Sequence, residues 1–256
     1  MKTVIKIGTS TIAHPTGRLN IRRARKLCEI ISDIKNAGNE VIIVTSGAIG
    51  MGVGKLGLPG RPDDTAGKQA AAAVGQCELM YTYDRLFSQY GHTVAQILLT
   101  ASDFSSEERH RNFENTVGRL LGLGAIPVIN ENDTVATDEI GLGDNDTLSA
   151  MVTVSTGADM LVLLSDIDGL YTADPHKDPR AKLIRRVGKI DEEIMSLGTG
   201  SVSGQGTGGM KTKLSAAALC LENGRTMIIA NGKYPELLYD AVDGKDGRFT
   251  VFGRRD

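Results

Sequence analysis

Near the end of the chain, "SGQGTGGMKTK" (203–213) places four glycines and two lysines in eleven positions. Gly204, Gly206, Gly208 and Gly209 would let backbone N–H groups come close to an anion. The residues that follow have helical spacing, with Leu214, Ala217, Ala218 and Leu221 on one face. Lys211 and Lys213 then fall in the first turn of that helix, where its dipole disfavours a cation by about 0.3–1 kcal/mol each. Read alone, the stretch fits a surface linker or a clamp; lysines at that end are accommodated if a polyanion lies beside them.

Lys6 stands inside the apolar run "TVIKI" (3–7), on the face of Val4, and is followed by Gly8, Thr9 and Ser10. An ammonium there must snorkel out or meet an anion, and the Gly-Thr-Ser sequence offers an open backbone and two hydroxyls. "VTSGAIGMGVG" (44–54) is a glycine-rich passage from strand to helix containing Ser46, Gly47 and Ala48. Its amides suit a carboxylate or phosphate, or the glycines serve tight packing alone. It is neither the dinucleotide fingerprint nor a P-loop, because the chain has no Gly-Lys-Ser/Thr. "NENDTVATDEIGLGDND" (130–146) gathers Glu131, Asp133, Asp138, Glu139, Asp144 and Asp146 with Asn130, Asn132 and Asn145. Such acids repel one another unless they meet a cation, a substrate ammonium or ordered lysines; a solvated acidic loop is the alternative, and the spacing is not that of an EF-hand. "LLSDIDGLYTADP" (163–175) sets Ser165 and Asp166 at another strand end. No G-x-S-x-G elbow or Cys–His arrangement supplies a nucleophile. Lysines from opposite ends of the chain, glycine loops and acids together suit phosphoryl transfer, where positioning and charge neutralisation dominate.

The elements that must position these residues are legible as two alternating patterns. Apolar, β-branched runs recur at 3–7, 40–46, 92–99, 125–130, 160–165 and 226–230. Helical spacing occupies 20–38, 66–90, 112–123, 146–155 and 210–222. In the first of these, Ile21, Ala24, Leu27, Cys28, Ile31 and Ile34 form a stripe, with Asn20 as N-cap and Gly38 beyond the C-terminus. Strands apolar on both faces and alternating with helices predict an α/β fold with a mainly parallel sheet covered on both sides, as one domain over 1–256. Ligands bind such sheets at the carboxyl ends of the strands, where the unusual loops fall.

Bulk properties narrow the function classes. A net charge of −2 with 4% aromatic residues and no Trp gives no broad attraction to nucleic acid or anionic membrane. Cys28, Cys77 and Cys220 are dispersed and read as buried apolar residues in a reducing compartment; the four histidines are equally scattered. The N-terminus lacks the apolar run of a signal peptide, and a cytoplasmic location is expected.

"VIKIGTS", "IVTSGAIG", "VINENDTVAT", "GDNDTLSA", "LLSDIDGLYTADP" and "SGQGTGGMKTK" together resemble, in order and along essentially the whole chain, the glutamate 5-kinase branch of the amino acid kinase family. Many members carry an added C-terminal PUA domain, and this chain resembles the short form. The resemblance implies a three-layer α/β/α sandwich and transfer of the γ-phosphoryl of ATP, with Mg²⁺, to the side-chain carboxylate of L-glutamate. By motif, Lys6 and Lys213 would act on the phosphates, with Asp146 holding them. Ser46, Asp133 and Asn145 would bind glutamate, with the backbone of Gly47 and Ala48 near its carboxylate. Gly8, Ser165, Asp166 and the run Thr207, Gly208, Gly209, Met210, Lys211, Thr212 and Lys213 would contact ATP, Lys211 at the periphery. Position 165 is Ser where many relatives have Thr, which keeps the hydroxyl. Mg²⁺ would be held largely by the phosphates, with no dedicated protein ligands. Proline feedback inhibition and a homo-oligomer, dimer or tetramer, are further implications. The alternatives are a kinase for another small carboxylate or carbamate in the same superfamily, and a nucleotide-binding sensor without turnover.

Overall fold

The computed structural model describes residues 1–14, 18–136, 145–198 and 209–253. In chain order the elements are β1 (Lys2–Ile7), α1 (Thr9–Ile12), α2 (Ile21–Asn36), β2 (Glu40–Thr45), α3 (Ala48–Leu56), α4 (Thr65–Phe87), β3 (Val94–Leu99), α5 (Ala101–Ser105) and α6 (Glu107–Gly122). They continue with β4 (Ile126–Glu131), α7 (Asn145–Ser155), β5 (Met160–Ser165), β6 (Arg186–Val187), α8 (Glu192–Ser196), α9 (Met210–Glu222), β7 (Thr226–Asn231), α10 (Leu237–Val242) and β8 (Phe249–Phe252).

The strands form one eight-stranded sheet in the order β3-β4-β2-β1-β5-β7-β8-β6. From β3 to β7 every pairing is parallel, and β8 joins antiparallel to β7. The chain builds outward from β1 on one side through β4, then crosses to the other side with β5. The crevice between β1 and β5 is therefore the switch point at which a doubly wound sheet binds ligands.

Each face of the sheet carries its own apolar core. Ile5, Ile7, Val41 and Ile43 pack with Leu27, Ile31 and Ile34 of α2, Leu79 and Phe87 of α4, and Leu238 of α10. Val4, Ile42, Val44 and Leu161 pack with Val117 of α6, Leu148 of α7 and Leu214 of α9. This is the three-layer sandwich expected from strands apolar on both faces. The period-two alternation of β1 puts Lys6 on the face of Val4, the side covered by α7 and α9.

Asn20 caps α2 by accepting from Arg23 N at 3.2 Å, and Gly38 follows with φ +91°. Three expectations need correction. Ile21 is 62% exposed, because it lies in the first turn, beyond the sheet's edge of cover. Cys77 is exposed on the outer side of α4, while Cys28 and Cys220 are buried. The helix expected from 112 begins at Glu107, where Ser106 accepts from Arg109 N. The short strands β6 and β8 had no repeated pattern to announce them.

Helices α3 and α4 cross with their backbones nearly touching. A Cβ on Gly75 would fall 1.7 Å from the Ala48 carbonyl oxygen, and one on Gly52 would fall 1.8 Å from that of Ala71. Glycine at both positions is what permits this approach, and it brings the residue after Gly75 in under the strand ends.

Candidate active site

Three side chains from distant parts of the chain meet over the switch point. Asp146, in the first turn of α7, takes Lys6 Nζ on Oδ1 at 2.8 Å and Lys213 Nζ on Oδ2 at 2.9 Å. The Asp146 side chain is 1% exposed, and those of Lys6 and Lys213 are 12% and 9% exposed. Burial alone would raise the Asp146 carboxyl, but the charges of Lys6 and Lys213, with their hydrogen bonds, outweigh it and hold the group below its ordinary value. Thr212 Oγ1 lies 3.3 Å from Asp146 Oδ2 and 2.8 Å from Gly209 O, with one proton to give to either acceptor. Asp146 suits its helix terminus, since an acid there complements the dipole; Lys213, in the first turn of α9, opposes it. Two ammonium groups share one carboxylate at the carboxyl edge of the sheet.

Two helix N-termini open onto the same edge without side-chain caps. Gly47, with φ +105°, starts α3, and Gly209 starts α9; neither N-cap residue caps its helix with a side chain. Uncapped first-turn N–H groups beside lysines favour anionic ligands. Gly8 lies between the ends of β1 and β5, its N–H donating to Leu164 O at 3.4 Å.

On the β2 side, Ser46 N donates to Ile7 O at 3.1 Å, which seats the hydroxyl next to the end of β1. Asn145 Nδ2 lies 2.6 Å from Thr45 O, 2.8 Å from Ser46 Oγ and 2.9 Å from Asn130 Oδ1. Asp133, just past β4, is half-buried; burial first, then the charge of Glu131, push its carboxyl up to about 6, while Arg61 pulls the other way. On the β5 side, Ser165 Oγ donates to Asp166 Oδ1 at 3.1 Å, and Ser165 O accepts from Gly232 N at 2.8 Å.

The structure thus brings Lys6, Gly8, Ser46, Gly47, Ala48, Asn145, Asp146, Gly209, Thr212 and Lys213 to one edge, with Asp133, Ser165 and Asp166 on the neighbouring strand ends. Met210 is buried and Lys211 is exposed on the outside of α9. Thr207 and Gly208 lie outside the described residues, as do Asp138, Glu139 and Asp144. Sequence reasoning named Asn130 without giving it a role and missed Gln76 and Asp168. Asn130 and Gln76 form a buried amide pair at 2.9 Å, and Asp168 accepts from Asn231 Nδ2 at 2.8 Å and Tyr171 OH at 2.9 Å while pairing with Arg248 at 2.8 Å. Asn130 stood in "INEND" among acids that drew attention away from it, and Gln76 sits in an alanine-rich helix with nothing to mark it.

A doubly covered parallel sheet with two lysines about one carboxylate, flanked by open helix N-termini, defines a phosphotransferase-type site. The chain belongs to the amino acid kinase family, whose family model matches residues 1–231. It is 48% identical over 249 residues to a glutamate 5-kinase of Clostridium perfringens, covering 96% of this chain and 93% of the relative. It is 50% identical over 242 residues to the glutamate 5-kinase of Clostridium acetobutylicum, covering 94% and 91%. Among solved structures, the T. acidophilum isopentenyl phosphate kinase product complex superposes with a TM-score of 0.67 at 19% identity, covering 98% of this chain and 100% of the other. At that identity the likeness shows the fold alone. No helix among the described residues is long and apolar enough to cross a membrane.

Proposed function

We propose that this chain is a glutamate 5-kinase, a single domain over 1–256 that moves the γ-phosphoryl of ATP to the side-chain carboxylate of L-glutamate. The product, L-glutamyl 5-phosphate, opens proline biosynthesis. The observation that carries the reading is the buried Lys6–Asp146–Lys213 cluster at the β1/β5 switch point, read together with the two glutamate 5-kinase relatives near half identity.

The chemistry follows from charge. A glutamate side chain, with an ordinary pKa of about 4.3, is ionised at neutral pH and attacks without a general base. The obstacle is repulsion between that carboxylate and the triphosphate. Lys6, reaching from β1, and Lys213, from α9, neutralise the transferring phosphoryl group from two directions, and Asp146 keeps both ammonium groups aimed at it. The α9 amides from Gly209 and the Ser165–Asp166 turn hold the nucleotide, with Lys211 outside the contact. Ser46, the α3 amides from Gly47 and Ala48, Asn145 and Asp133 hold glutamate, with the Asp133 carboxylate facing its ammonium.

Mg²⁺ belongs to the same proposal. An ion held mainly by nucleotide phosphates needs no dedicated cluster of protein carboxylates. When bound, it would neutralise charge on the phosphate oxygens. Assembly into a dimer or tetramer and inhibition by proline come with this reading.

Incubation with glutamate, ATP, Mg²⁺ and hydroxylamine is expected to yield γ-glutamyl hydroxamate. Turnover with another small acid or carbamate, and none with glutamate, would replace the substrate assignment; nucleotide binding without any turnover would favour a sensor.

A further inference from the structure

Four side-chain amides run in series beneath the end of β2. Asn145 Nδ2 donates to Asn130 Oδ1 at 2.9 Å, Asn130 Nδ2 to Gln76 Oε1 at 2.9 Å, and Gln76 Nε2 to Gln96 Oε1 at 3.0 Å. Asn130 is 2% exposed and Gln76 is 8% exposed, while Gln96 reaches the open edge of β3. Gln76 follows Gly75, whose contact with the Ala48 carbonyl lets α4 come this close to the strand ends.

A primary amide has a donor end and an acceptor end. Turning one member of such a series sets like against like at its junctions, and buried groups left unmatched are costly. One end of the series meets a partner that cannot be reversed, and the Asn130–Gln76 link at the other end holds Asn145 turned toward it. The backbone carbonyl of Thr45 only accepts, and it faces Asn145 Nδ2 at 2.6 Å. The same nitrogen lies 2.8 Å from Ser46 Oγ; it shares its two protons among Thr45 O, Ser46 Oγ and Asn130 Oδ1 and cannot accept, so the Ser46 hydroxyl proton is left for another partner. Asn145 therefore directs its amide protons inward, and its Oδ1 meets no donor among the described residues.

We infer that Gln76, acting through Asn130, is a positioning residue that holds the polarity of the amino-acid subsite against reversal of Asn145. Ser46 presents a hydroxyl proton to a substrate carboxylate, and Asn145 presents a carbonyl oxygen to a substrate ammonium. The subsite thereby selects a zwitterion over a diacid of the same length. A reversed Asn145 would set its own NH₂ against the ammonium. This inference rests on the glutamate kinase reading.

Hydroxamate kinetics on the full chain test it, comparing the KM for glutamate with the inhibition constant of glutarate, the same diacid without its ammonium. Gln76→Leu frees Asn130 to turn and is expected to raise the KM for glutamate about tenfold, the loss of one buried hydrogen bond. The kcat, the KM for ATP and the glutarate constant should stay within about twofold. Gln76→Glu keeps an acceptor toward Asn130 Nδ2 and should restore most of the lost glutamate affinity. An unchanged preference for glutamate over glutarate in Gln76→Leu overturns the inference, as does a parallel loss in every constant or a Glu variant as impaired as the Leu one. Should Gln76→Leu fail to fold, Gln96→Leu at the exposed end must lower the same preference, and no change there overturns the inference equally. A wild type inert toward glutamate refutes the kinase reading and this inference together, whereas an active wild type with an unaltered Gln76→Leu refutes this inference alone.

Discussion

The carboxyl edge of the sheet is built in two ways. At its centre, Lys6, Asp146 and Lys213 form a cluster of full charges; beside it, under the end of β2, Asn145, Asn130, Gln76 and Gln96 form a run of neutral amides. Both regions are largely buried, yet they solve different problems. Charge acts over distance and meets the need to draw two anions together. A neutral amide exerts its effect through direction, so it distinguishes which end of a substrate lies where, without the desolvation cost of a buried ion. Breaking the first region should disturb stability and turnover, and breaking the second should disturb substrate choice.

The largest effect is expected at Asp146. Asp146→Asn removes the carboxylate with which both ammonium groups pair, a change that typically costs about 3–5 kcal/mol of stability, to be read as a lowered thermal midpoint. The Asp146 carboxyl sits below its ordinary value in the fold, so folding favours its ionised form. Its contribution is present at neutral pH and is lost as pH falls through that depressed value; the gap between wild type and variant should close in acid, below the ordinary carboxylate pKa of about 3.9.

Lys213→Ala comes next. Removing a cation aimed at charge that develops during transfer is expected to lower kcat by about 10²–10³, with a much smaller rise in the KM for ATP. An equal loss in both would mean that Lys213 serves ground-state binding instead. Next in size is the titration of Asp133. With its carboxyl at about 6, the ionised form that can hold an ammonium is lost as pH falls through 6, and the KM for glutamate should climb toward tenfold per unit below it. Asp133→Asn should have a raised and flat KM over the same range. The smallest change is Lys211→Ala: two residues from Lys213 but exposed on the far side of α9, it should leave kcat within about twofold.

Lys211 and Lys213 also show where reading the sequence reached and where it stopped. The glycines and the helical spacing placed both lysines in a first turn, and helix α9 indeed runs Met210–Glu222. The motifs of a known family singled out Lys213, and the structure places it inward and Lys211 outward. Lys6 was legible directly, since strand alternation put it on the face of Val4. The partnership of these lysines with Asp146 was not readable from spacing, because it spans most of the chain; it came through the motifs of a known family. Gln76 was legible in neither way. Its partners Asn130 and Gln96 are 54 and 20 positions away, and an amide in an alanine-rich helix has no periodic or compositional mark. Ile21 and Cys77 show the converse limit, as apolar residues that periodicity or type placed inside and packing left outside.

Local order in this chain determined the strands, the helices, the two-sided cover of the sheet and the face on which Lys6 lies, because those follow from alternation at two and 3.6 residues. The meeting of Lys6, Lys213 and Asp146, and the direction of the amide series, were decided only by the tertiary structure. Ion pairing and hydrogen-bond polarity depend on which groups come within about 3 Å, and here the strand order and the α3–α4 crossing bring them together.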